Sequence, residues 1–214
     1  GSSDACGIAS RSLNTTSFNC SDVGNNNVTL TVTDVNGNSS TCSAIVTVQD
    51  NVAPNAVCQN ITVQLNAAGN ASITGNDVDN GSNDACGISS LSVSPNSFNC
   101  SDVGPNTVTL TATDNNSNSS TCTANVTVED NVAPNAVCQD LTLQLNAAGN
   151  ATTTAAAVNN NSSDACGIAS LSIDNSTFNC SNFANTNIVT LTVTDVNGNV
   201  STCTSNITID DPID

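Results

Sequence analysis

The sequence predicts an all-β protein built from tandem, disulfide-stapled β-sandwich repeats of about 80 residues. Three observations predict it: a long internal repeat, strand-like alternation of apolar and polar residues, and eleven cysteines in 214 residues. A period this long exceeds that of solenoid units and is typical of a small independent domain.

Three blocks define the repeat. Asp-Ala-Cys-Gly-Ile occupies residues 4–8, 84–88 and 164–168, and Phe-Asn-Cys-Ser begins at Phe18, Phe98 and Phe178. The phase of these blocks divides the chain into three parts. We expect a partial repeat with only the C-terminal strands (1–50), a complete repeat (51–130), and a second complete repeat followed by the start of the next linker (131–214).

Alternation with a period of two indicates half-buried strands. Val108, Leu110 and Ala112 alternate with threonines, and the same pattern runs over 122–129. Asn36-Gly37 and Asn197-Gly198 separate such strand pairs, which predicts hairpins with type I′ turns. Further strands are predicted over 57–65, 71–74 and 88–94. No segment has helical periodicity, and about seven short strands per repeat favour a sandwich.

Composition excludes several function classes. Arg11 is the only Lys or Arg, the chain has no His, and the formal net charge is −17. Binding to nucleic acid or to an anionic membrane surface requires basic side chains that this chain lacks. No apolar run is long enough to insert into a membrane. The absence of His and the spread of the Asp residues favour a non-enzyme, and the cysteines indicate an extracellular setting, secreted or cell-surface.

The order of motifs resembles the hyalin repeat (HYR) family. The matching elements are Asp-x-x-Ala-Pro-x-x-x-Cys from Asp50, Asp-x-Cys-Gly from Asp84, Phe-x-x-x-x-x-Gly from Phe98, and Thr-x-Thr-Asp-x-x-Gly-Asn-x-Ser-x-Cys from Thr31, closing into Val-Thr-Val. The resemblance covers the whole chain and implies immunoglobulin-like sandwiches of extracellular adhesion and matrix proteins, without a catalytic role. Cys100 departs from the family pattern.

Four cysteines in a repeat allow three pairings. We favour a short bridge, Cys86–Cys100, and a long bridge, Cys58–Cys122, which would join the first and last strands of an immunoglobulin-like sandwich. Applied to every copy, this pairing uses ten cysteines: Cys6, Cys20, Cys58, Cys122, Cys86, Cys100, Cys138, Cys203, Cys166 and Cys180. The alternative pairing, Cys42–Cys58 and Cys122–Cys138, would staple successive repeats across the linker.

The favoured pairing leaves Cys42 unpaired or intermolecular. One interpretation is that its partner lies in a strand preceding Gly1. The other is that a second chain supplies both the missing strands and the cysteine, so that subunits complete each other's half-domain.

Asn-x-Ser/Thr sequons recur in three registers and are candidate glycosylation sites. Their asparagines are Asn19, Asn99 and Asn179; Asn38, Asn118 and Asn199; and Asn70 and Asn150. The alternative is that abundant Asn and Thr produce sequons without glycan. We expect covalent glycans and no required cofactor.

Acidic residues also recur in register and are candidate calcium ligands, because Ca²⁺ takes six to eight oxygens. They are Asp50 and Asp130 at the linkers, Asp84 and Asp164 before a cysteine, and Asp34, Asp114 and Asp195 at the hairpins. The alternative is turn chemistry, in which Asp accepts hydrogen bonds from nearby backbone amides.

The sequence therefore predicts a structural segment of an extracellular glycosylated filament or stalk whose main partners are copies of itself. The alternative is a cell-surface adhesin, stiffened by calcium, that binds a glycan or protein ligand through loops at the domain ends. The near identity of the copies and the scarcity of aromatic residues, four Phe in all, favour the filament.

Overall fold

The computed structural model describes residues 1–211 and is all-β. The partial repeat holds β1 (Ile8–Leu13), β2 (Gly24–Asp34) and β3 (Ser39–Val48). The middle repeat holds β4 (Ile61–Gln64), β5 (Asn70–Ser72), α1 (Gly75–Val78), β6 (Ile88–Ser94), β7 (Ser97–Asn99), β8 (Gly104–Asp114) and β9 (Ser119–Glu129). The third repeat holds β10 (Leu141–Gln144), β11 (Asn150–Thr152), α2 (Ala155–Val158), β12 (Ile168–Ile173), β13 (Thr177–Asn179), β14 (Asn187–Asp195) and β15 (Val200–Asp210).

The third repeat shows the immunoglobulin-like arrangement of a complete copy. One sheet has the order β10-β15-β14-β12, and a second sheet pairs β11 with β13. β10 runs parallel to β15, with Leu141 opposite Ile207, whereas the other pairs are antiparallel. The middle repeat has the same order, β4-β9-β8-β6 with β5-β7. The first and last strands of the repeat are thus neighbours, as expected.

The core lies on the inner face of the four-stranded sheet. Val189, Leu191 and Val193 of β14 are fully buried, and Phe178 of β13 covers them from the second sheet at 3% exposure. The threonines between these positions face outward or are half-buried. The alternation read from the sequence therefore places the core correctly, because successive side chains of a strand point to opposite faces.

The partial repeat contains a three-stranded sheet, β1-β2-β3, without the covering second sheet. Its inner face is consequently less buried than that of the middle repeat. Leu30 is half-buried where Leu110 is fully buried, and Ala44 is exposed where Ala124 is 5% exposed. The three-stranded sheet presents an open apolar face.

The hairpin turns differ from the predicted type I′. Gly37 has a φ of 88° and Gly198 a φ of 93°, but the asparagines before them do not have positive φ. The amide of Gly37 donates to the carbonyl of Asp34, and the amide of Asp34 donates to the carbonyl of Asn38. This is a type I turn closed by a left-handed residue. Ser117 takes that position in the middle repeat with a φ of 73°.

Two further details depart from the sequence reading. The strand expected over 57–65 is limited to Ile61–Gln64, because Cys58 forms an isolated bridge with Asp79. Two single-turn helices, Gly75–Val78 and Ala155–Val158, follow the short strands and bury Val78 and Val158. A four-residue helix spans about one turn, too short for helical periodicity to show in the sequence.

The chain divides into two compact units. The first contains residues 1–58, 78–92 and 109–123, and the second contains residues 59–77, 93–108 and the described residues from 124 on. Each unit holds one repeat junction, whereas the repeat boundaries defined by sequence lie at Asn51 and Asn131. Of the linker expected after the third repeat, residues 212–214 lie outside the described part of the chain.

Candidate functional site at the repeat junctions

Four disulfides form, and two of them join consecutive repeats. Cys58–Cys122 and Cys138–Cys203 close the middle and third repeats, as the sequence favoured. Cys20–Cys86 and Cys100–Cys166 instead connect each repeat to the next, with Cα–Cα distances of 5.1 Å. The described chain is therefore covalently cross-linked both within and between its repeats.

The expected short bridge, Cys86–Cys100, and its copies, Cys6–Cys20 and Cys166–Cys180, are wrong. In the third repeat, the six residues of β12 follow Cys166 and extend roughly 20 Å at about 3.3 Å per residue. A disulfide requires Cα atoms about 4.4–6.8 Å apart. The strand thus carries the chain away from Cys166, and Cys180 remains free at the end of β13.

The alternative pairing, Cys42–Cys58 and Cys122–Cys138, is also wrong. Disulfides do connect successive repeats, but through other cysteines. Cys122 and Cys138 each bond within their own repeat, and Cys58 bonds Cys122 rather than Cys42. Cys42 is free and exposed, as the favoured pairing predicted, and Cys6 and Cys180 are free and exposed as well.

A glycine lies beside the Cys100–Cys166 bridge. Gly69 has a φ of 73°, and a Cβ on it would lie 2.7 Å from Cys100 Sγ and 3.2 Å from Ala165 Cβ. Any larger residue would therefore clash with the sulfur of Cys100, which bonds the next repeat, and would crowd Ala165 of that repeat. Gly149 is the third-repeat counterpart, and a Cβ there would lie 2.7 Å from Cys180 Sγ. The recurrence of Gly69 and Gly149 is a sequence signal for the close approach of a cysteine sulfur, and it was not among the predictions.

Hydrogen bonds hold the linker against the following repeat. In the first junction, Asn118 Nδ2 donates to the carbonyl of Asp50 (3.1 Å) and Ser120 Oγ donates to the carbonyl of Pro54 (2.5 Å). In the second junction, Asn199 Nδ2 donates to the carbonyl of Asp130 (3.0 Å). Side chains of the hairpin and its last strand therefore fix the backbone that enters the repeat.

The hairpin aspartates are used by their own turns. Asp114 Oδ1 accepts from the amides of Asn116 and Asn118, and Oδ2 accepts from Asn118 Nδ2, at 2.8 Å each. Burial opposes ionisation of Asp114, but the hydrogen bonds from Asn118 and the turn amides outweigh it and lower the pKa of the carboxyl. Asp34 and Asp195 make the same contacts. For Asp34, Asp114 and Asp195 the contacts match turn chemistry rather than calcium ligation.

The linker aspartates, in contrast, meet the aspartates that precede a cysteine. Carboxylate oxygens of Asp50 and Asp84 lie within 4.8 Å of each other, and so do those of Asp130 and Asp164. Cys86 and Cys166 adjoin these pairs, but both sulfurs are bound in disulfides. Two of the three predicted acidic registers are therefore brought together at each junction.

The three sequon registers differ in how available the acceptor nitrogen is. Asn19, Asn99 and Asn179 are exposed, and each caps a short 3₁₀ turn through Oδ1, so Nδ2 does not take part in the cap. Asn118 and Asn199 are half-buried and use Nδ2 for two hydrogen bonds each.

The remaining sequon asparagines are exposed but use Nδ2 once. Asn38 Nδ2 donates to Asp34 Oδ2, and the Nδ2 atoms of Asn70 and Asn150 donate to the carbonyls of Ala68 and Ala148. The register of Asn19, Asn99 and Asn179 is thus the most accessible for modification.

Within residues 1–211, no helix combines the length and apolar character needed to cross a membrane.

No protein-family model and no curated protein matches the chain. Solved structures similar to it include extracellular cadherin domains 1–4 of protocadherin gamma B7, at 12% identity and a TM-score of 0.39, covering 90% of this chain and 59% of that one.

Two immunoglobulin-domain structures are also similar. Three titin domains match at 10% identity and a TM-score of 0.34, over 87% of this chain and 75% of that one. Sidekick-1 immunoglobulin domains 1–4 match at 10% identity and a TM-score of 0.37, over 90% and 60%. At this identity and TM-score the likenesses carry no functional weight, and the immunoglobulin-like fold is established by the strand order of the chain itself.

Proposed function

We propose that the chain is a structural segment of an extracellular filament or stalk of HYR-like repeats, in which each repeat is covalently fastened to the next. The observation that carries the proposal is the pair of inter-repeat disulfides, Cys20–Cys86 and Cys100–Cys166. A flexible string of independent domains has no need of bridges across its junctions. Such bridges limit the separation of neighbouring domains under load, which is the task of a stalk.

The free cysteines support continuation of the same array. By sequence register, Cys180 corresponds to Cys20 and Cys100, which bond forward, and Cys6 corresponds to Cys86 and Cys166, which bond backward. Cys180 Sγ lies 3.6 Å from the carbonyl of Gly149, much as Cys100 Sγ lies 3.8 Å from that of Gly69. The free thiol of Cys180 therefore occupies the position that the bonded sulfur of Cys100 occupies one repeat earlier. From there it could bond the cysteine of the Asp-Ala-Cys-Gly motif in a following repeat.

The open face of the partial repeat supports completion by a matching half-repeat. In the middle repeat, the parallel strand β4 pairs with β9, and Cys58 bonds Cys122. Cys42 and β3 occupy these registers in the partial repeat, with Cys42 free and exposed. A first-strand segment of another repeat, carrying its own cysteine, would cover the apolar face. It would pair with β3 and form a disulfide with Cys42.

The surface suits an extracellular role. Disulfides persist in oxidising compartments, and this chain contains four of them. A net charge of −17 with one basic residue keeps neighbouring filaments apart. Glycans on the exposed register of Asn19, Asn99 and Asn179 would add a steric coat.

Oxidative assembly of the purified chain tests the proposal. Under mild oxidation we expect a covalent ladder in non-reducing gels, which collapses with dithiothreitol, and Cys6–Cys180 cross-linked peptides in unreduced digests. Electron microscopy of the same sample should show beaded filaments. Cys180→Ser should remove the ladder beyond dimers, whereas Ser181→Ala, next to it in the chain, should leave the ladder intact.

Persistent monomers with three reactive thiols would contradict self-assembly and would favour the adhesin alternative, with a ligand-binding region elsewhere in a parent protein. Mapping Cys86 to Cys100 in the unreduced digest would contradict the stapled junction itself.

A further inference from the structure

The second repeat junction contains a buried carboxylate oxygen without a partner. Asp130 is 7% exposed, and its Oδ1 accepts from the amide of Val132 at 3.0 Å. Its Oδ2 is buried and has no hydrogen-bond partner. Leaving a buried carboxylate oxygen unsatisfied is costly, so its retention calls for a ligand.

A second carboxylate faces this one. A carboxylate oxygen of Asp164 lies within 4.8 Å of one of Asp130. Asp164 Oδ1 accepts from the amides of Cys166 (2.7 Å) and Gly167 (3.2 Å), which fixes its orientation and leaves Oδ2 available. Two adjacent anions repel each other unless a cation or a proton lies between them.

The protein supplies no cation to this pair. The compact unit that contains Asp130 and Asp164 has no Lys, Arg or His in its sequence. Arg11 belongs to the other unit, where its guanidinium donates to the carbonyl of Ser2. A cation at the Asp130–Asp164 pair would therefore have to come from solution.

The first junction repeats the arrangement. Asp50 Oδ1 accepts from the amide of Val52 at 3.0 Å, and Asp50 Oδ2 is again buried without a partner. Asp84 Oδ1 accepts from the amide of Cys86 at 2.7 Å, and the two carboxylates again lie within 4.8 Å. Two separate compact units thus place the same unpartnered oxygen beside the same second carboxylate.

We propose that each junction binds one Ca²⁺, held by Asp130 and Asp164 in one unit and by Asp50 and Asp84 in the other. The donors are hard oxygens, which suit Ca²⁺ rather than a thiol-seeking metal. A cavity of about 370 Å³, lined by Val132, Asn135 and Asp164 among others, adjoins the second pair and admits water to complete the coordination. The ion would join the last residue of one repeat to the loop before the third strand of the next.

Calorimetric titration of the chelator-treated chain with CaCl₂ tests the proposal, at the salt concentration of an extracellular fluid. We expect two bound ions per chain, with dissociation constants of about 10⁻⁴–10⁻³ M, the range of extracellular calcium modules. Asp130→Asn and Asp50→Asn should each abolish one site, and the double variant should abolish both. Glu129→Gln is the matched control, because it removes the same charge from an exposed neighbour of Asp130.

Two readouts guard against a folding artefact. Each variant should retain three free thiols and the circular dichroism of the wild type. Ca²⁺ should raise the melting temperature of the wild type and of Glu129→Gln, but not of the double variant. Unsaturable binding up to about 10 mM, or equal stoichiometry in the double variant, would overturn the proposal. A negative result would not affect the proposed filament, which rests on the disulfides and is tested separately by oxidative assembly.

Discussion

The disulfide map predicts how far the chain can be stretched. Fully extended, 214 residues reach about 750 Å at roughly 3.5 Å per residue. With all four bridges closed, the shortest covalent path crosses from Cys20 to Cys86, from Cys100 to Cys166 and from Cys138 to Cys203. That path contains about 70 residues, so the oxidised chain should reach only about 270 Å.

A variant without the bridges inside the repeats makes the prediction specific to the junctions. Serine at positions 58, 122, 138 and 203 leaves only Cys20–Cys86 and Cys100–Cys166, and the path then contains about 80 residues, or about 300 Å. If the cysteines paired locally instead, only Cys86–Cys100 could form once Cys6 and Cys180 are replaced by serine, and the same variant would extend to about 700 Å.

Single-molecule force spectroscopy on the chain, tethered at both ends, measures this length directly. Full extension near 300 Å in the variant, rising to about 750 Å with dithiothreitol, is the expected outcome. An unreduced length near 700 Å would refute the inter-repeat pairing. Serine at positions 6, 42 and 180 in every sample prevents intermolecular bridges and provides the control background.

Three further predictions concern stability and modification. Leu110→Ala, at a fully buried site, should lower the free energy of unfolding by about 2–5 kcal/mol. Leu30→Ala, at the equivalent half-buried site of the open sheet, should lower it by less. Urea denaturation of the two variants measures the difference. Because the folded-state pKa of Asp114 lies below its ordinary value of 3.8, its stabilisation is present above that pH and is lost as pH falls through the folded pKa. Melting temperatures from pH 7 to pH 2 should therefore fall less steeply in Asp114→Asn, and parallel curves would contradict this. In a glycosylating host, Asn19→Gln should remove one glycan mass and Asn118→Gln none; a glycan on Asn118 would show that its Nδ2 hydrogen bonds do not protect it.

The sequence by itself determined the local architecture. Alternation over 108–112 located the core strand, since a strand exposes every second side chain to the same face. The repeat phase predicts that residues 1–50 form an incomplete copy. Neighbouring first and last strands in the resembling family favoured the Cys58–Cys122 bridge, which the structure forms.

Only the tertiary structure decided the chemistry of the junctions. Cys100 lies 14 residues from Cys86 and 66 from Cys166 in sequence, yet it bonds the more distant one because strands carry the chain from one end of a repeat to the other. Likewise, seven aspartates recur at the repeat spacing. Only the groups that surround each carboxylate in the folded chain distinguish a turn residue from a candidate calcium ligand. Asp114 finds both oxygens satisfied inside a turn, whereas Asp130 keeps one oxygen buried and unpartnered beside Asp164. The spacing of motifs in the sequence gives the length of the repeat. Which residues of one repeat contact the next depends on how the strands pack in three dimensions.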